Sequence, residues 1–185
     1  YKTHFSAGES FNIRIIIPGS RGLKKILEND KIEVYSFPLK HRITTFGYLF
    51  REKPVDLNLK KEALDIYKPS IEEVVQIKKG MDLKLHSGEV IPNRELTLPP
   101  WKTRSYAFCS DTAYLEKIVD YIKNVDLLYH EATFEHKDHE LAKSTLHSTS
   151  KEAASIAKMA KVKKLIVGHY SSRYKEYDTL VNEAQ

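Results

Sequence analysis

Residues 31–37 (KIEVYSF) alternate polar and apolar side chains with a period of two, the pattern of a half-buried strand, and Pro38 ends it. Asn29 and Asp30 supply the turn that opens the ribbon. Residues 45–51 (TFGYLFR) read as a second strand, reached through a loop that carries His41. Upstream, residues 11–18 are β-branched and apolar enough for a strand, and residues 22–28 are expected to form a short helical stretch.

The pattern changes over residues 52–103. Leu59, Ala63, Leu64 and Tyr67 have helical spacing within residues 57–67, with Asn58 as the expected cap and Pro69 as the stop. Residues 70–79 form a second expected helix, with Ser70 as N-cap, Glu73 as its capping-box partner and Gly80 as the close. Leu83–Leu85, a turn at Ser87-Gly88, and Val90-Ile91 follow. A half-polar, turn-rich excursion between two strands predicts an arm rather than part of the core.

From Arg104 the chain becomes regular again. Residues 105–109 read as a strand, 110–112 as a tight loop, 115–123 as a helix and 125–129 as a nearly all-apolar strand. An alanine-rich helix over 150–160 and a buried strand over 164–167 complete the series. Short apolar strands alternating with helices predict an α/β architecture with strands packed between layers.

Composition narrows the classes. With 185 residues, 41% hydrophobic and 30% charged, the chain suffices for one domain or a large piece of one, burying roughly two-thirds of its unfolded surface. Seven glycines and seven prolines exclude collagen-like and disordered classes. No apolar run is long enough to span a bilayer. A lone cysteine, Cys109, excludes an intramolecular disulfide framework and leads to the expectation of a reducing, cytoplasmic setting without a signal peptide. Because the chain opens at Tyr1, it is expected to be a fragment.

The net charge of +5 is unevenly spread: residues 151–175 carry seven basic side chains against one acidic, and residues 105–150 carry four against eight. The basic stretch is either a solvated helix face or a polyanion-facing surface beside an acidic, cation-seeking pocket. Charge alone does not choose.

Candidate chemistry gathers just beyond the carboxyl ends of the expected strands, at His41, Asp111, His130-Glu131 and His169. Such loops are where α/β folds assemble sites, since the sheet fixes their bases. Imidazoles with a carboxylate suit zinc or manganese, and a carboxylate can bridge two ions. A lone histidine in such a place is more often only a hydrogen-bonded boundary residue; the recurrence changes the odds. Cys109 reads as a buried small hydrophobe, and His4, His86, His136 and His139 as surface residues. Trp101, after Pro99-Pro100, reads as a packing anchor sooner than as a base-stacking platform.

The wording around these positions goes further. SDT (110–112), HEATF (130–134), HST (147–149) and GHYSSRY (168–174), in this order, resemble the C-terminal half of ribonuclease Z, the tRNA 3′-processing endonuclease of the metallo-β-lactamase superfamily. PLKHRITTFGYLFREK (38–53) resembles that family's upstream histidine segment. The resemblance covers essentially residues 10–180. It implies a metallo-β-lactamase-type αβ/βα sandwich, here its C-terminal half: 1–51 with 104–185 as the distal half of the domain, and 52–103 as an inserted, protruding tRNA-binding arm.

Carried over position by position, the resemblance implies that His41 binds a first zinc ion, Asp111 bridges two, and His169 binds the second. It implies that His147, supported by Glu131, passes a proton to the leaving 3′ oxygen. A carboxylate beside an imidazole favours the imidazolium, which suits a general acid. Glu131 also has a plainer reading as the organiser of its loop. Ser171 and Arg173 resemble residues near the scissile phosphate, for which a guanidinium suits bidentate hydrogen bonding; the alternative for both is a surface turn. The implied activity is removal of 3′ trailers from precursor tRNA, leaving a 3′-hydroxyl on the tRNA, by a homodimer with no membrane association.

Two departures qualify this. The superfamily's H-x-H-x-D-H motif is absent, so the 185 residues alone are expected to bind metal weakly and cleave nothing. The arm also lacks the Gly-Pro signature of many members, with Pro69-Ser70 in its place. Two other readings stay open: a small-substrate hydrolase of the same superfamily, and a non-catalytic RNA-binding or assembly fragment.

Overall fold

The computed structural model describes Lys2–His4, Ser10–Asn12, Pro18 and residues 21–185. The chain divides into two compact units: Tyr1–Glu52 with Arg104–Gln185, and Lys53–Thr103. In chain order the first unit begins with β1 (Lys2–His4) and β2 (Ser10–Asn12), paired antiparallel, then β3 (Lys24–Glu28), β4 (Ile32–Pro38) and β5 (Phe46–Glu52). The rest of the strand expected over 11–18 lies outside the described residues, Pro18 apart.

The second unit holds β6 (Asn58–Leu59), α1 (Lys61–Tyr67), α2 (Ile71–Lys78), β7 (Leu83–Lys84), β8 (Val90–Ile91), α3 (Asn93–Leu96) and β9 (Thr97–Leu98). It has its own small core of Ala63, Ile77, Leu83, Ile91 and Leu96. The capping box read at Ser70 and Glu73 is present: Ser70 Oγ accepts from the Glu73 amide at 3.2 Å, and Glu73 accepts from the Ser70 amide at 2.7 Å. Asn58 is not a cap. It lies in β6, and α1 starts after Lys60, which makes no side-chain capping bond. Trp101 is not a packing anchor either, being 88% exposed.

The first unit continues with β10 (Ser105–Cys109), a 3₁₀ turn (Glu116–Asp120), β11 (Leu127–Glu131), a second 3₁₀ turn (His136–Asp138), α4 (His139–Thr145), α5 (Ser150–Met159), β12 (Leu165–Gly168) and α6 (Asp178–Glu183). Six strands form one mixed sheet in the order β12-β11-β10-β5-β4-β3. β10, β11 and β12 run parallel, and β10, β5, β4 and β3 pair antiparallel in turn. Parallel neighbours need crossovers, and the segments after β10 and β11 supply them.

Residues 22–28, expected to be helical, instead contain the edge strand β3. Leu23, Ile26 and Leu27 have a helical spacing, but pairing to β4 overrides it, with a register shift between Lys25 and Leu27 where the alternation breaks. The expected helix over 115–123 is only a turn of 3₁₀ helix.

One face of the sheet carries Phe37, Leu49, Ala107, Cys109 and Leu128. These pack with Ile118, Ile122, Val125, Ile156, Ala157 and Ala160 into the main core. Cys109 is fully buried there, and burial pushes its thiol far above the ordinary range, so it is inert. The other face carries stacked aromatics, Phe50 on Tyr106 at 5.8 Å and Phe108 on Tyr129 at 4.8 Å between ring centroids.

Gly47 shows how tightly the ribbon is packed. It pairs with Phe37 across β4 and β5, and a Cβ built on it would lie 2.3 Å from the Phe37 ring. Gly47→Ala is expected to destabilise the protein by about 1–3 kcal/mol through overpacking. A leftward shift of the urea midpoint with unchanged slope would show it, and an unmoved midpoint would mean that the ring moves aside freely.

Candidate metal centre

The sheet sets the positions of the polar cluster. β10 ends at Cys109 and β12 at Gly168, and the chain turns sharply just beyond each, with Asp111 at φ +55° and His169 at φ +62°. Asp and His tolerate this left-handed region better than most non-glycine residues. Leu146 (φ +59°) closes α4 in the same conformation, immediately before His147. His147, Ser148 and Thr149 then lead into α5, whose start is fixed by a capping box between Thr149 and Glu152.

The loop after β4 is tied to the loop after β10. The Ala113 amide donates to the Lys40 carbonyl at 2.7 Å, the Lys40 amide to Thr112 Oγ1 at 3.2 Å, and Thr45 Oγ1 to the Asp111 carbonyl at 3.1 Å. These bonds carry His41 to the cluster. Its Nδ1 lies 2.9 Å from the Leu146 carbonyl, an oxygen that only accepts, so Nδ1 bears the proton and Nε2 keeps its lone pair.

Among the described residues, two groups of side chains are close enough to hold a cation. One is His41, Asp111 and His147; the other is Glu131, His147 and His169; within each group the potential ligand atoms lie within 4.8 Å of one another. His169 Nε2 is also 3.2 Å from Asp111 Oδ1. The imidazole rings of His41 and His147 are 4.8 Å apart, and those of His147 and His169 5.4 Å.

Glu131 differs from Asp111 in what its carboxylate already does. It is fully buried. Its Oε1 accepts from the Thr112 amide at 2.5 Å, and its Oε2 from Thr133 Oγ1 at 2.5 Å and the Ser148 amide at 3.1 Å. Both oxygens lie 3.1 Å from His147 Nδ1. A carboxylate occupied by that many donors organises its surroundings and is poorly placed to ligate. Asp111, by contrast, is half-exposed with an imidazole nitrogen beside it. Imidazole and carboxylate donors suit a divalent ion of the zinc or manganese kind, but the expected trio is divided: His41 and Asp111 fall in one group and His169 in the other, with His147, expected as the proton donor, in both.

One expectation changes in detail. His130 and Glu131 are not beyond the strand: they are the last two residues of β11. His130 is fully buried, its Nδ1 is 2.8 Å from the Glu131 carbonyl, and burial pushes its imidazole below the ordinary value, so it stays neutral in the core. Ser171 and Arg173 lie on the turn after His169. The Ser171 amide donates to the Thr133 carbonyl at 3.0 Å, Arg173 Nε donates to Ser171 Oγ at 3.2 Å, and the guanidinium sits 5.1 Å from the Phe134 ring centroid. Thr112, Thr133 and Leu146 escaped the sequence reading. Thr133 stands inside the HEATF segment and Thr112 ends the SDT segment, but the Thr112 amide on Glu131 and the Leu146 carbonyl on His41 act through the backbone, which leaves no side-chain signature.

Comparison with solved structures gives the class. The metallo-β-lactamase fold protein YhfI from Bacillus subtilis superposes with a TM-score of 0.53 at 16% identity, covering 85% of this chain and 44% of that one. The architecture is therefore of metallo-β-lactamase type. No protein-family model matches the chain. Sequence comparison is more specific. Ribonuclease Z of Parabacteroides distasonis is 45% identical over 182 residues, 97% of this chain and 59% of the relative. Ribonuclease Z of Porphyromonas gingivalis is 49% identical over 158 residues, 85% of this chain and 52% of the relative. The chain is thus a homologue of ribonuclease Z over the part that it spans, and it spans about half the length of the curated relatives it matches. No helix among the described residues is long and apolar enough to cross a membrane.

Proposed function

We propose that the protein to which these residues belong is a zinc-dependent endoribonuclease that removes 3′ trailers from precursor tRNA and leaves a 3′-hydroxyl on the tRNA. The observation that supports this reading is the pair of ligand groups that meet at His147: His41 and Asp111 on one side, His169 and the buried Glu131 on the other, with His169 Nε2 3.2 Å from Asp111 Oδ1. The relatives named ribonuclease Z support the substrate class. His41, Asp111 and His169 would help to hold two zinc ions, and the remaining ligands would come from residues outside this chain. When bound, such ions polarise the phosphodiester and ease deprotonation of water.

The protein's own groups account for the rest. A water oxygen bonds to phosphorus as its proton passes to a base among the residues outside this chain, and the bond from phosphorus to the 3′ oxygen breaks. Glu131 holds the proton on His147 Nδ1, so Nε2 is the nitrogen that hands a proton to the departing oxygen. Arg173 and Ser171 would contact the phosphate. The full-length protein is read as a cytoplasmic homodimer.

Lys53–Thr103, a unit with a core of its own, is the proposed grip on tRNA. Trp101, 88% exposed, offers a stacking face, and Lys60-Lys61 and Lys78-Lys79 offer charge for phosphates. Deleting residues 55–98 from the full-length protein should abolish cleavage of a trailer-bearing precursor tRNA while turnover of bis(p-nitrophenyl) phosphate persists. Retained tRNA cleavage would remove the arm from recognition. Absence of precursor cleavage by the intact protein, with the small diester still hydrolysed, would favour a small-substrate hydrolase.

A further inference from the structure

The side chain of Thr133 stands between the proton donor and the metal ligand. It is buried, and its Oγ1 lies 2.5 Å from Glu131 Oε2, 2.9 Å from His169 Nδ1 and 3.4 Å from His147 Nδ1. A hydroxyl has one proton to give. A carboxylate oxygen at 2.5 Å only accepts, so that proton goes to Glu131. The lone pairs of Oγ1 then remain for His169, and a nitrogen at 2.9 Å from them must donate.

We infer that Thr133 is a positioning residue that fixes the tautomer of His169. It passes the anchoring of Glu131 on to the metal ligand, so that one carboxylate orients both His147 and His169. The consequence is geometric. With a proton held on Nδ1, Nε2 is the nitrogen left for a cation, and it faces Asp111 Oδ1 at 3.2 Å. Thr133 thereby directs a nitrogen lone pair towards the place where a cation would be shared with Asp111. The same residue holds the loop by its backbone, since its carbonyl accepts from the Ser171 amide at 3.0 Å, two residues past His169.

The branched side chain suits the task. A β-branched residue is stiff at χ1, so the hydroxyl is presented in one direction at little entropic cost. Partners that orient a ligating histidine in this way typically contribute 10–100-fold to metal affinity.

The inference rests on the reading of this cluster as a metal centre, but its test needs no RNA. In the metal-free full-length protein, at alkaline pH, nitrogen-15 correlation spectra should show His169 with its proton on Nδ1. Thr133→Val should move that population towards Nε2–H and weaken zinc binding, measured by chelator competition, about 10–100-fold. Thr133→Ser should retain the tautomer and most of the affinity. A wild-type His169 protonated mainly on Nε2 would overturn the proposal whether or not Thr133→Val folds. So would a folded Thr133→Val protein with unchanged tautomer and zinc affinity. Absence of tRNA cleavage, with these signatures present, would count against the proposed substrate and leave the relay standing.

Discussion

Glu131→Ala in the full-length protein is expected to cost roughly 3 kcal/mol or more of stability, and to remove most of the nuclease activity. The carboxylate is fully buried, and it accepts from the Thr112 amide, the Ser148 amide and the Thr133 hydroxyl while facing His147 Nδ1. Truncation strands these donors where water does not reach, and a buried donor without an acceptor costs about 1–3 kcal/mol. The donors come from three segments: the loop after β10, the exit of β11, and the turn before α5. Their joint release loosens the frame that holds Asp111, His169 and His147 together. Glu131→Gln keeps the volume but turns one acceptor into a donor among donors, so it should recover less than half of the loss. Urea unfolding followed by fluorescence measures the effect. A shift below 1 kcal/mol for Glu131→Ala would mean that neighbouring groups repack and that the carboxylate is not the keystone of this frame.

Much of this frame was legible along the chain. The alternation in residues 31–37 marks a strand because only one of its faces meets the main core, and Phe37 lies on that face. The apolar runs at 105–109 and 164–167 belong to β10 and β12, both parallel neighbours of β11, but the strand expected to be buried over 164–167 lies at the sheet edge with Ile166 exposed. His41, Asp111 and His169 stood out because polar residues recur where such strands end. What was not legible has physical reasons. That residues 22–28 form a strand depends on β4, a tertiary partner, since their apolar spacing by itself is helical. The end of β11 extends through His130 and Glu131 because β12 continues to pair with it as far as Gly168. Backbone groups complete the site: the Leu146 carbonyl orients His41, and the Thr112 and Ser148 amides hold Glu131. No side-chain pattern announces them.

The role of His147 can be separated from that of its neighbours by the leaving group. His147→Ala is expected to slow cleavage of a normal precursor by about 10²–10⁴-fold, the range that a positioned proton donor supplies. Proximity alone does not establish that role, because His147 belongs to both groups of potential ligands. If it ligates metal, its loss should lower the zinc content and slow every substrate alike. If it donates a proton to the departing 3′ oxygen, its loss matters only where that oxygen needs one. A precursor carrying sulfur in place of the scissile 3′ oxygen expels a thiolate, which is stable without protonation. His147→Ala should therefore cleave the sulfur-linked precursor at close to the wild-type rate, with zinc content unchanged, while failing on the oxygen-linked one. The bond from Glu131 to Nδ1 leaves Nε2 as the working nitrogen in either case, so the leaving group, and not that bond, separates the two roles. Equal loss on both precursors, accompanied by loss of zinc, would move His147 from the proton-transfer step into the ligand set.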